Sequence, residues 1–81
     1  MATAQSLVNL YNERNNMQLT VNGEPYEFHG KTIADLVDAM ALNGRRLAVE
    51  VNRNIITRSA HDQHQLHDGD IVEIVHAIGG G

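Results

Sequence analysis

The chain has 81 residues, 6 Lys+Arg against 10 Asp+Glu for a net charge of -4, and no cysteine. That length suits one domain with a small core, and the missing thiols exclude disulfides, thiolate metal sites and any side-chain persulfide. The acidic balance argues against a general nucleic-acid binder, while the lack of a long apolar run or signal-peptide pattern argues against a membrane and for the cytoplasm.

Residues 1–16 read as an N-terminal extension. They hold four asparagines and one apolar cluster, Leu7, Val8, Leu10 and Tyr11, which allows a short helix but not a stable one, so the segment is expected to be disordered or weakly helical. The domain proper is expected over residues 17–78. Met17, Leu19 and Val21 alternate with polar residues and run into Asn22-Gly23, the strongest short hairpin signal; Tyr26-Glu27-Phe28 is the return strand. Pro25 cannot donate a ladder hydrogen bond, which places that strand at a sheet edge.

Thr32 followed by Asp35 reads as a helix N-cap with a first-turn acid. Ile33, Leu36, Val37 and Met40 then follow at helical spacing, predicting a helix over 33–42 stopped by Asn43-Gly44. Leu47, Val49 and Val51 predict a third strand, Asn52-Arg53-Asn54 a turn, and Ile55-Ile56 a short fourth strand. Residues 57–67 have too little apolar content for more than a surface loop with one helical turn. Within them His61, His64 and His67 recur every third residue, but no acid or thiolate accompanies them at firm spacing, so they read as a solvated loop and no metal site is assigned. Asp68-Gly69-Asp70 turns the chain into a last strand over Ile71–Ile78, on which His76 shares the inward face of Val72 and Ile74 as a partly covered structural histidine.

A helix between strands of one sheet calls for a crossover that covers one face. The predicted architecture is α+β: a mixed sheet of four to five strands with one main helix packed on one face, the β-grasp or ubiquitin-like roll. Leu19, Val21, Leu36, Met40, Val49, Val51, Val72 and Ile74 form its expected core.

Two features remain for function. Glu73, Val75 and Ala77 alternate away from the core on the last strand, and Ala48 and Glu50 do so on the third. A small apolar patch rimmed by acids suits docking onto a partner, and ordinary half-buried packing accounts for it equally well. The second is Gly79-Gly80-Gly81, a thin tail that follows the last strand with no polar linker; Gly79 and Gly80 give a flexible tether and Gly81 the terminal carboxylate. A frayed terminus is the alternative. No catalytic serine, histidine and acid set and no phosphate loop is present, so any reaction of that carboxylate belongs to other proteins.

Met17 to Glu24, Val49-Glu50-Val51-Asn52, Arg58, and the run from Asp68-Gly69-Asp70 through His76-Ala77-Ile78 to Gly81 together resemble the ThiS family of sulfur carriers in thiamin biosynthesis. The resemblance covers residues 17–81; the leading 16 residues lie outside it, and Thr57 stands where a proline is common. It implies a protein cosubstrate rather than an enzyme, monomeric when free and with no bound cofactor. An E1-like, ThiF-like adenylating enzyme would consume ATP to activate the Gly81 carboxylate, a persulfide donor would convert it to a thiocarboxylate, and a ThiG-like thiazole synthase would receive the sulfur. Ala48, Glu50, Glu73 and Val75 would contact the partners. A MoaD-like carrier for molybdopterin synthesis and a non-reactive β-grasp interaction module remain as alternatives.

Overall fold

In the computed structural model, which describes residues 3–7, 10 and 16–77, the Asn22-Gly23 pair turns β1 (Met17–Val21) directly into β2 (Glu24–Phe28). Val21 stands opposite Glu24, and both loop residues have positive φ, 51° and 82°. This is the backbone of the two-residue turns whose twist matches that of paired strands, and it favours asparagine then glycine. The return strand is two residues longer than predicted and takes in Pro25. It lies at the sheet edge, where a missing N–H breaks no inner ladder.

Helix α1 (Ile33–Ala39) begins with a reciprocal cap. The Asp35 N–H donates to Thr32 Oγ1 at 3.2 Å, while Asp35 Oδ2 accepts from the N–H groups of Thr32 at 3.0 Å and Lys31 at 2.9 Å. The helix ends three residues before the predicted boundary, and glycine does not end it. Ala41 takes the left-handed conformation at φ 59°; its N–H donates to the Asp38 carbonyl and the Leu42 N–H to the Val37 carbonyl. This is a Schellman closure, completed by the apolar pair Val37 and Leu42, both partly buried against the core. Gly44, also left-handed at φ 80°, belongs to the next turn.

β3 (Leu47–Val51) and β4 (Asn54–Ile56) form a second hairpin, its turn again left-handed at Asn52 and Arg53, and β5 (Ile71–His76) enters last. The sheet order is β2-β1-β5-β3-β4, with β5 parallel to β1 and antiparallel to β3. The mixed five-stranded sheet with one main helix is the expected roll, and its last strand is central. The predicted loop over 57–67 carries a 3-10 turn, Arg58–Ala60, and then runs under the helix. The N–H groups of Ile33 and Ala34 donate to the carbonyls of His64 and His61, so the loop satisfies donors that the first helical turn leaves free.

Among the described residues ten apolar side chains form the buried core: Leu19, Val21, Phe28, Ile33, Leu36, Val49, Val51, Leu66, Val72 and Ile74. Seven of the eight expected core residues are among them. Met40 is the exception, only partly buried because the helix closes at its own position. Phe28, Ile33 and Leu66 are additions. Leu66 is the informative one: a lone leucine in a polar segment is 2% exposed because its N–H is fixed to the Lys31 carbonyl, which seats the side chain beneath α1. Near the start of the chain, residues 4–7 are helical, with the Ser6 N–H donating to the Thr3 hydroxyl, and Leu7 and Leu10 are exposed.

Candidate functional site

β5 is held along both edges by more than its ladder. Past the last paired residue of β1, the Asn22 N–H donates to the Val72 carbonyl. The Asn22 side chain then accepts from the Ile74 N–H at 2.8 Å and donates to the Ile74 carbonyl at 3.1 Å. On the other edge Asn52 holds the start of the strand, three residues earlier. Its N–H donates to the Ile71 carbonyl, its Oδ1 accepts from the Ile71 N–H at 2.9 Å, and its Nδ2 donates to the buried Asp70 carboxylate at 3.0 Å. Asp70 also accepts from the His67 N–H, and Asp68 accepts from the Gln18 N–H, so the turn into β5 is fixed as well. The strand that leads to the glycine tail is therefore anchored in the middle of the sheet. The tail residues themselves, Gly79, Gly80 and Gly81, lie outside the described residues, as does Ile78.

The strand ends at His76, opposite Leu47, and the Ala77 N–H donates to the Arg46 carbonyl at 2.9 Å. The tail root therefore sits beside Arg45 and Arg46, both exposed. His76 is exposed rather than partly covered, because no core residue extends past Leu47 at this end of the sheet. Of the loop histidines, His61 and His64 are half-buried and His67 exposed; His61 Nε2 donates to the Ile56 carbonyl at 3.1 Å. Among the described residues no group of three or more His, Asp or Glu is placed to hold a metal ion.

The outer sheet face brings together the four residues singled out from alternation. Ala48 stands directly opposite Val75, and Glu50 directly opposite Glu73, on alternate rungs of the β3–β5 ladder, with the inward pair Val49 and Ile74 between them. Val75 is 58% exposed, and Ala48 and Glu73 are also exposed, with Glu50 intermediate. Two facing carboxylates on one rung repel and bring no stability of their own. The face extends further than the four residues singled out. Ile55, across from Glu50 on β4, is 76% exposed, and Ile71, across from Thr20, is 55% exposed. Both were legible as strand residues; their outward direction follows from pairing with Glu50 and from alternating with buried Val72. The result is an apolar strip, Ala48, Val75, Ile71 and Ile55, around an acidic pair, leading toward the tail root. Among the described residues no helix is long and apolar enough to cross a membrane.

Comparison with known proteins places the chain. The model of the ThiS family matches residues 19–81. The sulfur carrier protein ThiS of Bacillus subtilis is 35% identical over 65 residues, covering 78% of this chain and 98% of that protein. A thiazole synthase of Paramagnetospirillum magneticum is 39% identical over 66 residues; the match takes in 80% of this chain but spans only 20% of the length of that synthase. The crystal structure of a thiamine biosynthesis protein (ThiS) from Geobacter metallireducens superposes with a TM-score of 0.70 at 35% identity, covering 80% of this chain and all of that one.

Proposed function

The chain belongs to the ThiS family, and from that membership we propose that it is a sulfur carrier whose reactive group is the Gly81 carboxylate. The observation that carries the reading is that the family match runs to residue 81, taking in the glycines that follow a strand anchored on both edges. A carboxylate is a poor electrophile. An E1-like adenylating enzyme joins it to AMP, with pyrophosphate leaving. The terminal sulfur of a persulfide then attacks the acyl carbon and expels AMP, and a thiol opens the resulting acyl disulfide to leave a thiocarboxylate. A thiazole synthase receives that sulfur. A stretch similar to this chain within a thiazole synthase supports the pairing.

In this reading the domain is a cosubstrate that works in the cytoplasm. Beyond the Gly81 carboxylate, whose oxygen attacks the α-phosphate of ATP, it supplies no acid, base or nucleophile; it holds that carboxylate in place, which raises its effective concentration at the partner's site. Gly79 and Gly80 carry no Cβ, so the tether enters a narrow channel. The face of Ala48, Glu50, Glu73 and Val75 docks the partner, its apolar centre desolvated and its acids meeting basic groups. Without cysteine in the chain, no internal thiol competes for the activated acyl group.

Intact-mass measurement tests this. With ATP, the adenylating enzyme and a persulfide donor, one oxygen at Gly81 is exchanged for sulfur, and a chain lacking Gly80 and Gly81 stays unmodified while keeping its folded circular-dichroism spectrum. An unchanged mass of the full chain in the presence of a competent enzyme rejects the carrier reading.

A further inference from the structure

Only two asparagines in the chain precede glycine, Asn22 and Asn43, and the fold treats them oppositely. This pairing matters chemically because a glycine N–H, with no side chain beside it, is the backbone nitrogen best able to reach the preceding asparagine's Cγ. Asn22 has both amide atoms committed to Ile74, one donating and one accepting, so turning its side chain onto the Gly23 nitrogen requires breaking the end of the β1–β5 junction. Asn43 is exposed in the connection between α1 and β3. Its one side-chain contact is from Nδ2 to the exposed Asp38 carboxylate, which leaves the Cγ carbonyl open. A Cβ added at either Gly44 or Gly23 would meet nothing within 4 Å, so the glycines do not separate the two sites and the contrast lies in the asparagine side chains.

We propose that Asn43 is a spontaneous modification site of the folded protein, and that the Ile74 clamp spares Asn22. The Gly44 nitrogen forms a bond to Asn43 Cγ and gives up its proton as the Cγ–Nδ2 bond breaks and ammonia leaves. Water then opens the five-membered imide at either carbonyl, giving aspartate or isoaspartate at position 43. Nothing is oxidised or reduced. Either product adds one negative charge and removes the amide donor that Asp38 now accepts from, leaving two carboxylates side by side. Isoaspartate also inserts a methylene into the main chain between the Leu42 closure of α1 and Arg46, whose carbonyl holds the Ala77 N–H at the tail root. The inference stands independently of the sulfur-carrier reading.

The test uses the wild-type chain in buffer at mildly alkaline pH, with and without denaturing urea, followed by proteolytic peptide mapping that resolves aspartate from isoaspartate. In the folded chain Asn43 is converted at least about tenfold faster than Asn22, the protection that two intact hydrogen bonds can supply. In urea the two rates come within about threefold of each other, because local sequence alone then sets them. Comparable rates in the folded chain overturn the proposal, as does an unmodified Asn43. So does an Asn22 that stays slow in urea, since its protection would then not come from the fold.

Discussion

The Asn22 side chain holds Ile74 by both of its amide atoms, accepting from the N–H at 2.8 Å and donating to the carbonyl at 3.1 Å, so that one side chain stands in for a further residue of β1. The left-handed φ of Asn22 makes this reach available, and asparagine is the residue that tolerates such a φ while carrying a peptide-like amide. Replacing Asn22→Ala leaves two backbone groups of a central strand without partners. We expect a loss of about 1–3 kcal/mol in urea unfolding. Asn22→Asp keeps the acceptor but turns the donor into a second acceptor facing the Ile74 carbonyl, and falls at the upper end of that range. A variant as stable as the parent would show that water replaces the clamp at no cost.

The C-terminal closure of α1 gives the opposite sign. Ala41 sits at φ 59°, where its Cβ crowds the backbone. Ala41→Gly removes that crowding and leaves the Leu42-to-Val37 and Ala41-to-Asp38 hydrogen bonds intact. The gain expected is about 0.5–1 kcal/mol after allowing for the freer unfolded chain. In a domain of this size that is a rise of about 3–6 °C in Tm. A lower Tm would mean that the alanine methyl packs in a way that outweighs its strained backbone.

These two sites also mark what the sequence discloses and what it hides. Strand alternation, the Asn22-Gly23 turn, the Thr32 cap and the outward direction of Ala48 and Val75 were readable, since each rests on residues close in the chain or on a simple period; that Ala48 and Val75 stand opposite each other was not. The helix end differs from the expected one because Ala41 is a poor left-handed residue and Asn43-Gly44 a good one nearby; the partial burial of Val37 and Leu42 against the core favours the earlier closure, and that is a packing term. Leu66 was missed for a similar reason: a single buried residue in a polar loop has no period, and only the Lys31 backbone contact explains its place. His76 was misplaced because alternation sets the direction of a side chain but not how far the core extends beneath it.

The N-cap of α1 carries a pH dependence. The Lys31 N–H, and next the Thr32 N–H, hold the Asp35 carboxyl below the usual carboxylate range. The folded state thus prefers the ionised form, and the stability this adds is fully present above the unfolded carboxylate pKa and lost as pH falls through the folded one. Asp35→Asn should therefore lower stability at neutral pH, with the difference from the parent shrinking as the solution is acidified below the carboxylate range. Thr32→Ala, which removes the other half of the cap, costs about 1 kcal/mol. Its deficit, unlike that of Asp35→Asn, should persist in acid, where the Thr32 hydroxyl still accepts. Parallel pH profiles for both variants would refute this division of roles.

The rung formed by Glu50 and Glu73 separates stability from partner binding most directly. Like charges directly across an antiparallel pair are unfavourable, and the Arg53 side chain that lines the same concavity makes no ion pair with either. Glu73→Gln should therefore leave stability unchanged or raise it by about 0.5 kcal/mol. If the face docks an activating enzyme through basic groups, the same variant should slow association and flatten its salt dependence, since a rim charge acts mainly through encounter rate. Val75→Asp tests the apolar centre. It puts a charge on a residue already 58% exposed, so thermal stability should move by no more than about 1 kcal/mol. The KM for the carrier in the adenylation reaction should rise by about tenfold or more, the loss that follows from a charge placed in a desolvated contact. Equal rises for Val75→Asp and for a charge placed on β2, at the far edge of the sheet, would show that net charge rather than this strip governs recognition.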